Sequence, residues 1–555
     1  MVDIEYTKRV KDLFFKLNKI KPEVWLILIL VFALFLRLYF FVGLVNAGPQ
    51  DDGIYIGNIK YIVDGNHDIK NFKELVLEET VNPVHGFKVR NGFIFPAAFF
   101  VTILGFNQLG FTFYSLISSL LLSILSYYFG KNILGSYKIG LLSAFLISIF
   151  PLNIIFSTKI SPEVPLTLFI SLSIYFFMLY FKNENKGFLF PLLSGLFAAA
   201  ASTIKTFGII LFPVLLFTGL FYLKIDFKKT LKIIVPFVIG FILIFGINEA
   251  YFYSETGNIL LQSKISKKSQ LDNFERQDFV GNNKILNILN VKTIFGEPLE
   301  YSKLMFNIKT PRKGIFYFGF FYYLFLLCLI YLVYILKKEW NAYNKSIFPI
   351  LLWFFVGLGI LAMFPIMIKW NSNMLEWLLI PKHARMLNYL TIPTVLIIAT
   401  ALLKIKAIKF RNILLIVIVL FLTITSINFT NFISQFYKEG IKDSKEISKL
   451  IPDLNGYIYT DYLAFGQINY FTGYKFEDKI KNIHEIRNVS ELKGAYVIIG
   501  GGRSVDVEGE AVKNILPDSI KPALINEIEN WTLIREIKGK KTPNRKYDMK
   551  LYYVN

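Results

Sequence analysis

The chain has 555 residues, 54% of them hydrophobic and only 18% charged, with a net charge of +21 and a mean hydropathy of +0.48. A soluble domain carries about 25% charged residues, so this balance excludes an ordinary cytosolic enzyme and a disordered chain. The basic residues gather in short stretches between apolar runs, which suits an anionic membrane leaflet and not a nucleic-acid groove.

The first 22 residues are polar, so the reading expects no cleavable signal peptide, and the first apolar run acts as its own anchor. Runs of about 20 apolar residues cross a bilayer as helices. Eleven such spans are expected, at 24–45, 109–129, 139–156, 164–181, 188–203, 207–223, 231–250, 314–336, 346–367, 387–403 and 412–430. The segment 92–106 is apolar but short and contains Pro96, so it reads as an interfacial or re-entrant helix. The single cysteine, Cys328, lies inside the eighth run, which leaves no disulfide framework or thiolate metal cluster within one chain.

Charge orients the spans. With Met1 cytoplasmic, the inner segments hold Lys8, Arg9, Lys11, Lys16, Lys19 and Lys21, then Lys131, Lys138, Lys182, Lys224, Lys228, Lys337, Lys338, Lys404 and Arg411. The short outer turns hold few basic residues, as the positive-inside rule requires. Counting 92–106 as a span would invert everything after it. The expected organisation is a cytoplasmic basic segment 1–22, a transmembrane domain 23–430 with outer loops 46–92 and 251–313, and an extracytoplasmic domain 431–555. The tail has soluble composition. Strands are expected at 456–460, 495–499 and 531–537 and helices at 444–450 and 505–515, giving a small α/β domain.

Asp51 and Asp52 are adjacent carboxylates shortly after the first span, followed by Gly53, Ile54 and Tyr55. Like charges side by side raise the proton affinity of one, which suits a general base. The same pair also suits a solvated helix N-cap. Arg37 lies inside the first span, where a charge is costly and is a functional candidate by default. Its position toward the outer face would let it pair with a carboxylate there. Glu163 opens a span on the outer side, Lys205 sits at the outer turn of a helical hairpin, and His383 and Arg385 precede the tenth span. The charge-based topology puts all of them at one membrane face. An acid, a base and several cations at one level match a reaction with a phosphate leaving group. His67, His85 and His484 lack zinc-ligand spacing. A divalent metal shared by Asp51 and Asp52 is compatible with the pair, but no ligand spacing demands it, and the residues point to no other cofactor.

These residues resemble the motifs of the GT-C superfamily of membrane glycosyltransferases, most nearly the protein O-mannosyltransferase and lipid A aminoarabinose transferase branch. Leu36-Arg37-Leu38 is similar to that family's arginine in the first span. Asp51-Asp52-Gly53-Ile54-Tyr55 resembles its Asp-Glu motif, whose first acid is taken as the base; here Asp52 stands where Glu is usual. The stretch from Arg90 to Pro96, the stretch from Pro151 to Glu163, the hairpin from Gly195 to Lys205, and His383-Ala384-Arg385 with Pro393 resemble its remaining signatures. Met386 stands where an aromatic is common.

The resemblance implies a polytopic α-helical GT-C-like membrane protein of about eleven transmembrane helices. It implies a transferase that moves a hexosyl or pentosyl unit from a polyprenyl (dolichyl) phosphate carrier to a protein, glycan or lipid acceptor outside the membrane, by inverting displacement. Asp51 and Asp52 would be catalytic, and Lys205, Arg385, His383 and Arg37 would hold the donor phosphate, with Glu163, Tyr55 and Arg90 as further site candidates. The competing expectations are a multi-pass transporter or lipid flippase, and a non-catalytic assembly subunit.

Overall fold

A computed structural model describes residues 20–43, 51–65, 90–182, 187–205, 208, 211–223, 227–261, 320–338, 342–363, 365–371, 374–379, 388–439, 441–460, 462–483, 486, 488–499, 530–538 and 549–555. The molecule is mainly helical. The first part of the membrane region comprises α1 (Pro22–Tyr39), α2 (Asp51–Val63), α3 (Asn91–Leu104), α4 (Gln108–Tyr128), α5 (Tyr137–Ser148), α6 (Pro151–Ser157) and α7 (Glu163–Lys182). It continues with α8 (Leu189–Ile204), α9 (Leu211–Leu223), α10 (Phe227–Thr256), α11 (Phe321–Lys338), α12 (Ala342–Met363), α13 (Thr391–Leu403) and α14 (Ile408–Glu439).

Among the described residues, five helices are long and apolar enough to cross a membrane: 22–39, 108–133, 163–182, 230–254 and 410–435. The expected third span is not one straight helix. It breaks into α5 and α6, bent by 58°, with Pro151 opening α6. Proline has no backbone donor and is favoured in the first helical turn, and the chain restarts there at a new angle. The segment at 92–106 folds as α3, a 14-residue helix with Pro96 inside it. At 1.5 Å per residue α3 reaches about 21 Å, short of a hydrocarbon core of about 30 Å.

The lipid-facing sides are apolar. Leu327, Ile330, Ile413, Ile416 and Ile424 are all more than half exposed in the isolated chain, as side chains that meet lipid are. Inside the bundle, small residues allow close helix approach. A Cβ on Gly195 of α8 would meet the Phe237 carbonyl of α10, and one on Gly240 of α10 would meet the Leu192 carbonyl of α8. Helices in lipid associate by such packing, since apolar surface is not hidden from water there.

Two elements depart from the expected spans. An antiparallel hairpin, β1 (Pro365–Asn371) with β2 (Met374–Leu379), follows α12. Helix α14 runs to Glu439, past the expected end at 430, because no glycine or proline interrupts it before Gly440.

The tail holds α15 (Lys442–Ser448), β3 (Ile458–Thr460), α16 (Tyr462–Phe471), β4 (Ile480–Asn482), β5 (Tyr496–Ile499), β6 (Thr532–Ile537) and β7 (Met549–Tyr553). The strands form one sheet in the order β4-β3-β5-β7-β6, parallel through β4, β3 and β5 and antiparallel beyond. Alternation in β5 serves two cores. Ile498 packs with Ile447, Ile458, Ile468 and Leu551, while Val497 and Ile499 pack with Ile483, Leu492 and Trp531. The expected strands at 456–460, 495–499 and 531–537 fall on β3, β5 and β6. The helix expected at 505–515 lies outside the described residues.

Candidate functional site

The ends of several helices meet on the side of the bundle that carries the tail. After α1 the chain turns back on the α6–α7 connection: the backbone N–H groups of Val42 and Gly43 donate to the Thr158 carbonyl at 3.2 and 2.7 Å, and Gly43 bridges to Lys159. This clamp ties the end of α1 to the start of the α6–α7 connection.

Glu163 is the first residue of α7, and Lys205 ends α8 with an extended backbone. The two side chains, 6% and 15% exposed, form an ion pair with Nζ 3.2 Å from Oε1. The second carboxylate oxygen accepts a hydrogen bond from the Ser161 hydroxyl at 2.6 Å. Ser161 is held in turn, its carbonyl accepting from the Ser115 hydroxyl of α4 at 2.6 Å. A pair this enclosed is screened little by solvent, and loss of one partner would leave a buried charge.

Arg90 sits just before α3 and donates through Nη1 to the Tyr55 hydroxyl on α2. Its guanidinium lies 5.6 Å from the Tyr55 ring centroid. The Tyr55 ring is fully buried and stands edge-on to Phe93, with centroids 4.9 Å apart. Next in the chain, Asn91 donates to the Asn248 side-chain carbonyl of α10 at 3.0 Å. Asn248 donates to Glu249 at 3.3 Å, and the other Glu249 oxygen accepts from the Leu260 backbone N–H at 2.6 Å. Gly92 brings these groups together. A Cβ there would strike the Thr203 hydroxyl and come 2.9 Å from the Ile204 backbone nitrogen. Arg90 and Asn91 are therefore held next to the Thr203–Lys205 turn. Gly92→Val should force α3 from α8 and abolish most function while the chain still inserts, read by activity per inserted protein.

A polar belt thus contains Tyr55, Arg90, Glu163 and Lys205 from the sequence-based candidates. It also contains Ser161, Asn91, Asn248 and Glu249, which that reading missed. Glu249 was detectable: it is a carboxylate near the end of an apolar run, on the side assigned as outer. Asp51 and Asp52 are the first two residues of α2, one turn before Tyr55, and their side chains lie outside the described residues. His383 and Arg385 also lie outside them. Among the described residues no three His, Cys, Asp or Glu side chains group as metal ligands.

Arg37 is elsewhere. It is fully buried between α1, α4 and α5 and does not reach the expected outer carboxylate. Nε donates to the Ser119 hydroxyl at 2.5 Å, and Nη1 donates to the Ala33 and Ser148 carbonyls at 2.9 and 3.2 Å. The reason is a serine stripe on α4 at positions 115, 119 and 123, which offers a polar seam inside the bundle. Arg37→Ala should therefore act on stability, at about 3 kcal/mol, by leaving a cavity and orphaned polar groups. Unfolding of the variant, with donor KM unchanged in the folded fraction, checks this.

Residues 92–249 match the family model of dolichyl-phosphate-mannose-protein mannosyltransferase. The resemblance to the GT-C superfamily stands on that segment and on the fold. The matched interval contains Asn91's neighbour Gly92, Glu163, Lys205, Asn248 and Glu249. An uncharacterized protein of Aquifex aeolicus (strain VF5) is 28% identical over 224 residues, so the match spans 40% of this chain and 40% of that relative. ArnT from Cupriavidus metallidurans in the apo state superposes with a TM-score of 0.55 at 9% identity, covering 95% of this chain and 98% of that one. The same protein bound to undecaprenyl phosphate gives a TM-score of 0.53 over the same shares. The likeness to ArnT is one of fold. The oligosaccharyltransferase AglB of Archaeoglobus fulgidus, in complex with an inhibitory peptide and a dolichol-phosphate, aligns at 12% identity and a TM-score of 0.47, over 81% of this chain and 64% of that one. The apolar helices and the GT-C likeness make this chain an integral membrane protein.

Proposed function

We propose that this chain is a glycosyltransferase that moves a sugar from a polyprenyl phosphate to an acceptor on the extracytoplasmic face. The observation that carries the reading is the enclosed Glu163–Lys205 pair, set in one polar belt with Arg90 and Tyr55 where the helices end. A phosphate leaving group needs cations, and Lys205, at the end of α8, is the cation this reading assigns to it. The family match and the undecaprenyl phosphate bound to ArnT, a protein of the same fold, support the same donor class.

In the proposed reaction the acceptor's nucleophilic oxygen or nitrogen forms a bond to the anomeric carbon. The bond from that carbon to the carrier phosphate breaks, and polyprenyl phosphate leaves with the electron pair. The acceptor's proton passes to Asp51, with Asp52 beside it. Lys205, with Arg385 and His383 from the segment before α13, neutralises the leaving phosphate. Such donors are strongest where charge develops. Eleven spans, an inner N-terminus and an outer α/β tail belong to the same proposal. Reporter fusions at Asn341 and Gly440 should report the inside and the outside respectively; one side for both would reverse the site's location.

A binding measurement tests the donor class without turnover. Polyprenyl phosphate alone should raise the Tm of the purified protein in nanodiscs, as a ligand of the folded state does. Glu163→Gln combined with Lys205→Met, which removes the ion pair without stranding a charge, should lose that rise. An equal rise in the variant would place the phosphate away from Lys205.

A further inference from the structure

The helix that opens with Asp51 and Asp52 is gripped by the tail. On α2, Lys60 makes an ion pair with Asp64 at 2.7 Å and a second with Glu477 of the tail at 3.5 Å. The Lys60 ammonium also lies 5.2 Å from the centroid of the Tyr474 ring. The same ring also meets the membrane region: Tyr474 stands edge-on to Phe106, between α3 and α4, with centroids 5.5 Å apart. Four residues earlier, Tyr470 of α16 packs on Phe111 of α4, with centroids 5.7 Å apart.

Tyr474 holds this place with an unusual backbone. Its φ is 59°, in the left-handed region, directly after Gly473 at 64°. A bulky residue rarely adopts that conformation, and it persists where surrounding contacts enforce it. Here the Tyr474 N–H donates to the Asn469 carbonyl at 2.8 Å and closes the turn after α16. The hydrogen bond to Asp64 and the Glu477 carboxylate hold the Lys60 ammonium above its usual pKa, and burial raises the Tyr474 phenol. Both groups therefore keep their charge state across the neutral range.

We propose that Tyr474 and Glu477 are positioning residues: through Lys60 the tail fixes the placement of α2, and with it the acid pair at its first turn. This rests on the reading of Asp51 as the base. The tail then acts on transfer without touching the donor or the acceptor. Tyr474 supplies the larger share, because its ring contacts both Lys60 and Phe106. In the second ion pair Glu477 is half exposed, so it contributes less.

The test uses the full-length protein in nanodiscs, with two readouts: hydrogen exchange of the α2 amides and steady-state transfer. Tyr474→Ala should speed exchange across residues 51–63 and lower kcat ~10-fold with donor KM unchanged, the size expected of a misplaced base. Tyr474→Phe, which keeps the ring, should behave as the parent. Lys60→Glu and Glu477→Lys should each lower kcat by about 3-fold, and the double swap, which restores one cation between two acids, should recover it. Unchanged α2 exchange in Tyr474→Ala overturns the coupling. Faster exchange with full turnover overturns the positioning role. A failure of the base itself shows separately, as ordinary turnover in Asp51→Asn, and leaves the exchange result to decide whether the tail grips α2.

Discussion

Asp51→Asn should lower the rate of sugar transfer by ~10²–10⁴-fold while donor binding survives, because a general base contributes about that factor. Asparagine keeps the size and hydrogen-bonding reach of aspartate but does not accept the proton. The position is set by structure. Asp51 is the first residue of α2. One turn on, Tyr55 is buried and tied to Arg90, which anchors the helix against α3. Asp52→Asn should have a milder effect, on acceptor binding or on a metal shared by the pair. The reverse ranking would move the base to Asp52 and leave the reaction class unchanged. Turnover with lipid-linked donor, normalised to inserted protein, decides between them.

Lys205→Ala carries the second large effect, in two parts. Loss of a donor to the leaving phosphate costs ~3 kcal/mol in the transition state, or 10²–10³-fold in rate. The same change leaves the Glu163 carboxylate buried with the Ser161 hydroxyl but without its ammonium partner, and removing one member of a buried pair costs about 3–5 kcal/mol of stability. The parts separate in the Glu163→Gln/Lys205→Met pair. That variant should regain most of the thermal stability and none of the turnover. If it regains turnover, Lys205 serves only to neutralise Glu163 and the phosphate is held elsewhere.

Much of the membrane region was legible because apolar runs of span length have few alternatives in lipid. Each expected span between 24 and 430 coincides at least in part with a helix. The misreadings have local causes. Hydropathy averages over Pro151, so the bend between α5 and α6 was read through. The apolar stretch Met374–Leu379 pairs with Pro365–Asn371 as a hairpin, a partnership that a helix-length window does not see. Of the site, Glu163 and Lys205 were legible as charges at the ends of apolar runs, yet their pairing was not, since positions 163 and 205 are joined only by the packing of α7 on α8. Arg37 shows the opposite limit. It lies inside the first apolar helix and is buried, but which neighbours it faces depends on helix rotation, and the serines of α4 rather than a carboxylate receive it. The grip of Tyr474 on α2 joins residues more than four hundred apart and leaves no periodic trace.

The central claim is that this outer polar belt drives transfer from a phosphate-linked lipid. Acceptor-dependent release of free polyprenyl phosphate from a sugar-loaded carrier, followed in proteoliposomes, tests it most directly. Wild-type protein should release carrier and transfer sugar in equal amounts, Asp51→Asn should do neither at an appreciable rate while still binding carrier, and Glu163→Gln/Lys205→Met should fail to bind it. Movement of the intact sugar-carrier across the bilayer without release, or release undiminished in both variants, would contradict it.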